Sequence, residues 1–168
     1  LFDEVPSETT SSNITYGKNM HNTPHQYFVT DTDEKIQQLI QQLSTLDAFC
    51  FDTETTSVDA NNCELVGMSF SFKTSEAYYV PMPSTFDDAK RIVQQFKPIF
   101  ENDSIQKIGQ NIKFDQLVLK WYDVDVKGVF FDTMLAHYLI DADSRHNMNI
   151  LAENYLGYTP VSIEELIG

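Results

Sequence analysis

The order of hydrophobic and polar positions along the chain predicts strands separated by amphipathic helices. Alternating residues predict strands, and apolar residues spaced three and four apart predict the buried face of a helix. Strands are expected at residues 27–29, 49–55, 65–72, 77–80 and 104–108. Helices are expected after an N-cap at Asp31 or Thr32, with a buried stripe from Ile36 to Leu43, and then at residues 86–100, 111–121, 132–140, 147–155 and 162–167.

This order of elements predicts an α/β fold with a mixed central sheet, an antiparallel meander and flanking helices. Residues 1–25 contain few apolar residues and many Ser, Thr and Asn, so we expect a linker or N-terminal arm there. Residues 26–168 are then expected to form one domain.

Two carboxylates stand out in the predicted strand at residues 49–55. Asp52 and Glu54 are two positions apart, so they share one face of the strand at a spacing of about 7 Å. Acidic residues are depleted in strands, and like charges on one face repel. A divalent cation would relieve the repulsion, and the alternative is a strand that ends in a polar turn with both acids solvated. The stretch by itself leaves both interpretations open.

Composition limits the classes of function. The chain has 25 acidic and 11 basic residues and a net charge of −14, which argues against a stand-alone protein that binds nucleic acid by neutralising phosphates. No long apolar run predicts a membrane span, and no signal peptide is recognisable, so a cytoplasmic protein is expected. Cys50, in the predicted core strand, and Cys63, in a polar turn, are interpreted as free thiols.

A second polar motif opens the predicted helix at residues 111–121. In GQNIKFD, Asn111 and Asp115 are four positions apart and share a helical face. The motif alone favours the solvent side of an amphipathic helix. Beside the acidic strand, however, Asp115 would be a third carboxylate at the same point, and three hard oxygen ligands suit Mg²⁺ or Mn²⁺.

A family resemblance rests on three segments in this order: FDTET, GQNIKFDQLVL and FDTMLAHYLIDADSRHNMNILAENYLG. From about Tyr27 to the C-terminus the chain resembles the 3′–5′ proofreading exonuclease domain of bacterial DNA polymerase I, a DEDD exonuclease with a ribonuclease H-like fold. The resemblance implies two-metal hydrolysis of terminal phosphodiesters at single-stranded or frayed DNA 3′ ends. It implies a monomeric domain that works beside a polymerase domain, and possibly a 5′ nuclease domain, of the same polypeptide.

The resemblance also assigns roles to individual residues. Asp52, Glu54 and Asp115 match the residues that hold two Mg²⁺ or Mn²⁺ ions, and Glu54 would also accept a hydrogen bond from the 3′-hydroxyl. The residues that match contacts to the DNA strand are Val58, Gln110, Asn111, Phe114, Arg145 and Ile163. Two alternatives stay open: Val58 and Ile163 as ordinary packing residues, and Arg145 paired with an acidic neighbour, Asp141 or Asp143.

The chain departs from the family at the third motif. A Tyr-x-x-x-Asp pair is expected on a late helix, but Tyr138, Tyr155 and Tyr158 are followed four residues later by Ala142, Thr159 and Ser162. We therefore expect a chain truncated before this motif, with weak or no activity by itself.

The remaining candidates are interpreted as structural. Asp132 is expected to be an N-cap rather than a ligand, and His146 a structural or rim residue. Two alternatives to a proofreading exonuclease remain: a catalytically weak structural domain of the polymerase, and an RNA-trimming enzyme related to ribonuclease D.

Overall fold

A computed structural model describes residues 17–162 and residue 165 of the chain. The chain divides into two compact units. One is Pro24–His146, and the other combines Leu1–Thr23 with Asn147–Gly168. Each unit is described by itself.

The larger unit is built on a six-stranded mixed sheet. In chain order the strands of the protein are β1 Lys18–Asn19, β2 Gln26–Val29, β3 Ala48–Thr55, β4 Leu65–Lys73, β5 Glu76–Pro81, β6 Gln106–Gly109, β7 Phe130–Asp132 and β8 Tyr158–Thr159. The sheet order is β2-β5-β4-β3-β6-β7. Strands β3, β4 and β5 form the antiparallel meander, and β2, β6 and β7 join in parallel. The predicted mixed α/β fold is confirmed.

Helices form close to where the periodicity predicts them. They are α1 Asp33–Leu43, α2 Phe86–Phe100, α3 Ile112–Trp121, α4 Thr133–Ile140 and α5 Met148–Leu151. Thr32 is the N-cap of α1, and Ile36, Leu39 and Leu43 are buried as its stripe predicts. A strong helical period identifies such elements because one face must be buried whatever the neighbours are.

The core lies on one face of β3. Phe49 and Phe51 are buried there and meet Phe100 of α2, with ring centroids 6.2 and 5.1 Å apart. Strand alternation places Cys50, Asp52 and Glu54 on the opposite face. Cys50 therefore lies in an inner strand as expected, with its side chain exposed, and both cysteines are free thiols as expected.

Several short elements differ from the sequence prediction. Strand β7 precedes α4 where only a helix was expected, and β6 begins at Gln106 rather than at residue 104. In the smaller unit α5 passes into a π-helical turn at Ala152–Leu156. Two residues of the expected arm form β1, which pairs in parallel with β8. Strands of two or three residues are too short to show a period, so only their partners reveal them.

Within the part of the chain that the structure describes, no helix combines the length and the apolar character needed to span a membrane. The predicted helix at residues 162–167 lies mostly outside the described residues.

Lys107 of β6 is an unusual member of the core. Its side chain is 0% exposed, and Nζ donates a hydrogen bond to the Asn102 carbonyl at 2.5 Å. Burial lowers the pKa of Lys107 from 10.5 to about 8, and the charge of Asp103 offsets this only in part. Between these two values the unfolded chain binds a proton that the folded chain does not, so stability rises with pH.

We predict that the parent protein gains stability between pH 8 and 10 relative to Lys107→Met. The buried ammonium costs on the order of 3 kcal/mol at neutral pH, and this cost disappears as Lys107 loses its proton. Urea unfolding at pH 7 and pH 10 measures the difference. Lys113→Met, at an exposed position of α3, is the control and should follow the parent. A pH dependence of Lys107→Met identical to that of the parent would contradict the prediction.

Candidate active site

The carboxylate pair lies at the end of an inner strand of the sheet. Strand β3 has β4 on one side and β6 on the other. Asp52 is partly buried and Glu54 is exposed on the same face, as the alternation predicts. The pairing with β4 shifts register between Glu54 and Thr55, so the ladder becomes irregular just where the two acids stand.

Asp115 reaches this strand from the first turn of α3. Its side chain is 2% exposed, and Oδ1 accepts hydrogen bonds from the Thr53 backbone N–H at 2.9 Å and from Thr53 Oγ1 at 2.6 Å. Asp115 is thus bound to the residue between Asp52 and Glu54. The alternative that the motif alone favoured, Asp115 on the solvent side of its helix, is ruled out because the side chain is buried against β3.

Burial and mutual repulsion disfavour the ionised forms of Asp52 and Asp115 in the protein alone. Burial, with the negative charge of Glu54, raises the pKa of Asp52 to about 6. Burial also raises the pKa of Asp115 to about 7, and the charge of Asp52 adds to the effect although Thr53 opposes it. No ion pair among residues 17–162 involves these three acids.

The donor chemistry of this group fits a hard cation. Carboxylate oxygens are the ligands that Mg²⁺ and Mn²⁺ prefer, and desolvated acids without a basic neighbour lack compensating charge. The atoms are not arranged as a closed metal site, since the described residues contain no group of three or more His, Cys, Asp or Glu side chains placed to hold an ion. The structure therefore brings Asp115 to the strand of Asp52 and Glu54 without gathering all three carboxylates around one point.

The predicted substrate contacts lie on several elements of the larger unit. Val58 is 96% exposed in the loop after β3, which argues against the alternative of an ordinary packing residue. Asn111 is exposed at the start of α3, and Phe114 is partly buried against the core. Gln110 Nε2 donates to the His146 carbonyl at 2.6 Å.

Two further predicted contacts fall near or beyond the end of this unit. Arg145 is exposed, and none of the described acids forms an ion pair with it, so the alternative of a pair with Asp141 or Asp143 gains no support. Ile163 lies outside the described residues.

Asp132 is the N-cap that the sequence predicts. Its Oδ1 accepts from the Met134 and Leu135 N–H groups at 2.9 and 3.3 Å. Three other polar residues near the site were not predicted. Thr53 holds Asp115, Thr133 Oγ1 donates to the Gly109 carbonyl at 3.0 Å, and His137 meets His146 through their Nδ1 atoms at 2.7 Å. One indication in the sequence points to a role for Thr53, its position between two acids of a strand. The contacts of Thr133 and His137 depend on the fold and have no local sequence signal.

A separate cavity lies elsewhere. It has a volume of about 440 Å³ and is lined by Thr56, Asn61, Asn62, Cys63, Glu64, Phe86, Trp121 and Tyr122. None of Asp52, Glu54 and Asp115 lines it.

Comparison with known proteins identifies the family. Residues 27–168 match the family model described as 3′-5′ exonuclease. The chain belongs to this 3′–5′ exonuclease family. It is 37% identical over 139 residues to DNA polymerase I of Borreliella burgdorferi, covering 81% of this chain, and 36% identical over 138 residues to DNA polymerase I of Pseudomonas aeruginosa, covering 77%. The chain spans about 15% of the length of each relative.

The exonuclease fold also appears among solved structures. A crystal structure of Trypanosoma brucei RNase D in complex with RNA U12 matches with a TM-score of 0.67 and 16% identity, covering 80% of this chain and 48% of that chain. At this identity the similarity concerns the fold alone.

We predict that Asp115→Asn stabilises the protein at pH 8 in EDTA. Folded Asp115 and Asp52 keep protons up to about pH 7 and 6, whereas the unfolded acids release them near pH 4, so stability falls as pH rises through this window. The amide oxygen can still accept from Thr53, and loss of the buried charge should contribute on the order of a few kcal/mol.

Urea unfolding of parent and variant at pH 5 and pH 8 measures this effect. Asp143→Asn removes one exposed charge and serves as the control. A variant less stable than the parent at pH 8 would show that the Asp115 charge is satisfied within the folded chain.

Proposed function

We propose that this chain removes nucleotides from single-stranded or frayed DNA 3′ ends as the proofreading exonuclease of a DNA polymerase I. The observation that carries the proposal is the attachment of Asp115 to Thr53, between Asp52 and Glu54, in a chain of the exonuclease family. This contact brings the GQNIKFD motif to the FDTET motif, as the resemblance requires.

Asp52, Glu54 and Asp115 would hold the divalent metal that this family uses, here Mg²⁺ or Mn²⁺ as two ions. When bound, such ions supply positive charge for water activation and for the leaving 3′-oxygen. Glu54, which is exposed, would accept a hydrogen bond from the terminal 3′-hydroxyl. Asp115 is kept in one orientation by Thr53, so little reorganisation is needed when substrate arrives.

The substrate strand is proposed to contact residues around this surface. Exposed Val58 would pack against an unpaired base, Phe114 would stack on another, and exposed Arg145 would pair with a phosphate. Gln110 and Asn111 would form hydrogen bonds to the strand. Unpaired bases are needed for such contacts, which favours frayed over matched ends. Ile163 is proposed as a further packing contact on the resemblance alone.

The chain is proposed to act within a longer polypeptide beside a polymerase domain and possibly a 5′ nuclease domain. The relatives are DNA polymerases I of which the chain spans about 15%. A net charge of −14 supports this, because DNA recruitment must then come from basic surfaces elsewhere. A bacterial cytoplasmic location is part of the same proposal.

An RNA-trimming enzyme is the second candidate, because a Trypanosoma brucei RNase D structure shares the fold. The relatives that are more than 30% identical are DNA polymerases, which favours DNA. The fold by itself does not discriminate between the two substrates.

We predict Mn²⁺-dependent release of mononucleotides from linear single-stranded DNA by the full parent polypeptide, weak or no release by this chain alone, and no cleavage of circular single-stranded DNA by either. Asp52→Asn should lower the rate by about 100-fold or more. Asp52 would bind the metal directly, and loss of a direct ligand reduces activity more than loss of a residue that only orients a ligand. The assay compares 5′-labelled DNA and RNA of one sequence, with this chain and with its full parent polypeptide. Asp143→Asn is the matched control and should retain the parent rate.

Two results would overturn the assignment. Cleavage of circular DNA would show an endonuclease, and faster digestion of RNA than of DNA would favour the second candidate.

A further inference from the structure

Helix α3 begins in an unusual way. Its N-cap residue, Asn111, has φ 61° and ψ 45°, in the left-handed region, and its side chain makes no capping hydrogen bond. An N-cap residue ordinarily has an extended backbone, and its side chain accepts from the second or third helical N–H group. Asparagine tolerates the left-handed conformation better than most residues. The helix that carries Asp115 is therefore not capped by the side chain of its own N-cap residue.

The cap of α3 comes from Asp132 instead. Oδ1 of Asp132 accepts from the Asn111 N–H at 3.1 Å, and Oδ2 accepts from the Ile112 N–H at 2.9 Å. Parallel pairing of β6 with β7 places Gly109 opposite Asp132, so the two helices begin side by side. The carboxylate also caps α4, and its negative charge is favourable at both helix N-termini.

Two contacts reinforce this junction. Thr133 Oγ1 donates to the Gly109 carbonyl at 3.0 Å, at the residue where β6 ends. One turn into α3, Asp115 is bound to Thr53. The first turn of α3 is thus held from two sides, by Asp132 at its beginning and by β3 at Asp115.

We infer that Asp132 is a positioning residue for the exonuclease reaction. Its carboxylate caps α3 in place of Asn111, so the exposed Asn111 amide is not used for capping and can bind the substrate strand. The same bonds keep the first turn of α3, and therefore Asp115, in register with β3. This inference rests on the proposed function for the roles of Asn111 and Asp115, but the cap itself does not depend on it.

Asp132→Ser separates the two tasks of this carboxylate. Serine caps its own helix as well as aspartate does, so α4 keeps its cap. Its single, shorter side-chain oxygen cannot also accept from Asn111 and Ile112. Asp132→Asn should have an intermediate effect. Its amide oxygen can still accept the hydrogen bonds made to Oδ1, but its NH₂ group replaces Oδ2 and cannot accept from the Ile112 N–H. Thr32→Ala, which removes the N-cap of α1, is the control for simple loss of a cap.

The first measurement is amide hydrogen exchange by NMR in the metal-free chain. In Asp132→Ser the Asn111 and Ile112 amides should exchange about tenfold faster or more, while Met134 and Leu135 stay protected. Thr32→Ala should leave all four unchanged. Unchanged exchange at Asn111 and Ile112 in Asp132→Ser would overturn the inference, whatever the protein binds.

The second measurement is a double-mutant cycle on binding of a short single-stranded oligothymidylate in EDTA, followed by fluorescence anisotropy. Asp132→Ser and Asn111→Ala should each raise Kd about five- to tenfold, and the double variant should add little, because both changes remove the same contact. Thr32→Ala should bind as the parent does. Independent, multiplying effects would show that Asp132 does not act through Asn111. A parent chain that does not bind the oligonucleotide contradicts the proposed function and the role of Asn111, while the exchange result still decides whether Asp132 holds α3.

Discussion

The two hydrogen bonds from Thr53 to the Asp115 carboxylate are the constraint on which the candidate site depends. They join the central strand of the sheet to the helix that follows β6, and they do so with a side chain from which water is nearly excluded. A buried carboxyl that accepts two good hydrogen bonds has one orientation, whereas a solvated one has many. The position of the third acid relative to Asp52 and Glu54 therefore follows from this contact.

The surrounding fold supplies the rigidity that the contact requires. Phe49 and Phe51 pack beneath β3 against Phe100, on the face opposite Asp52 and Glu54. One strand thus has an aromatic face that contributes stability and an acidic face that reduces it. Desolvation and mutual repulsion raise the pKa of Asp52 and Asp115, and a packed hydrophobic core can tolerate that cost. This distribution is typical of functional sites, where perturbed carboxyls gather on a stable scaffold.

The second structural requirement is the junction where α3 and α4 begin. A single carboxylate, Asp132, satisfies N–H groups of both helices, and strand pairing between β6 and β7 puts it within reach. The acids on β3 and α3 are proposed to hold the metal that the exonuclease family uses, and the junction shows how the fold orients the residues beside them. None of Thr53, Asp115 and Asp132 lines the cavity around Trp121.

Sequence periodicity determined the elements that bury a continuous face. Helix α2 has the predicted bounds of Phe86–Phe100, and the meander of β4 and β5 follows from alternation and turns. The spacing of Asp52 and Glu54 also placed both on one face, because successive strand residues point in opposite directions. The family motifs were readable for a similar reason, since each is a short stretch whose residues act together. Local patterns of this kind do not depend on which element becomes the neighbour.

The tertiary structure decided everything that depends on a neighbour distant in sequence. Strands β1, β7 and β8 are too short to show a period and exist through their partners. The motif alone favoured a solvated Asp115, but the residue is buried because α3 packs beside Thr53. Cys50 belongs to an inner strand yet is exposed, because it shares the face of β3 that carries Asp52 and Glu54. Asp132 was recognisable as the cap of its own helix, but its second set of partners comes from a strand pairing that no local pattern encodes. Hydrophobic periodicity is a property of one segment, whereas a hydrogen bond between segments depends on which side chains the fold places within about 3 Å of each other.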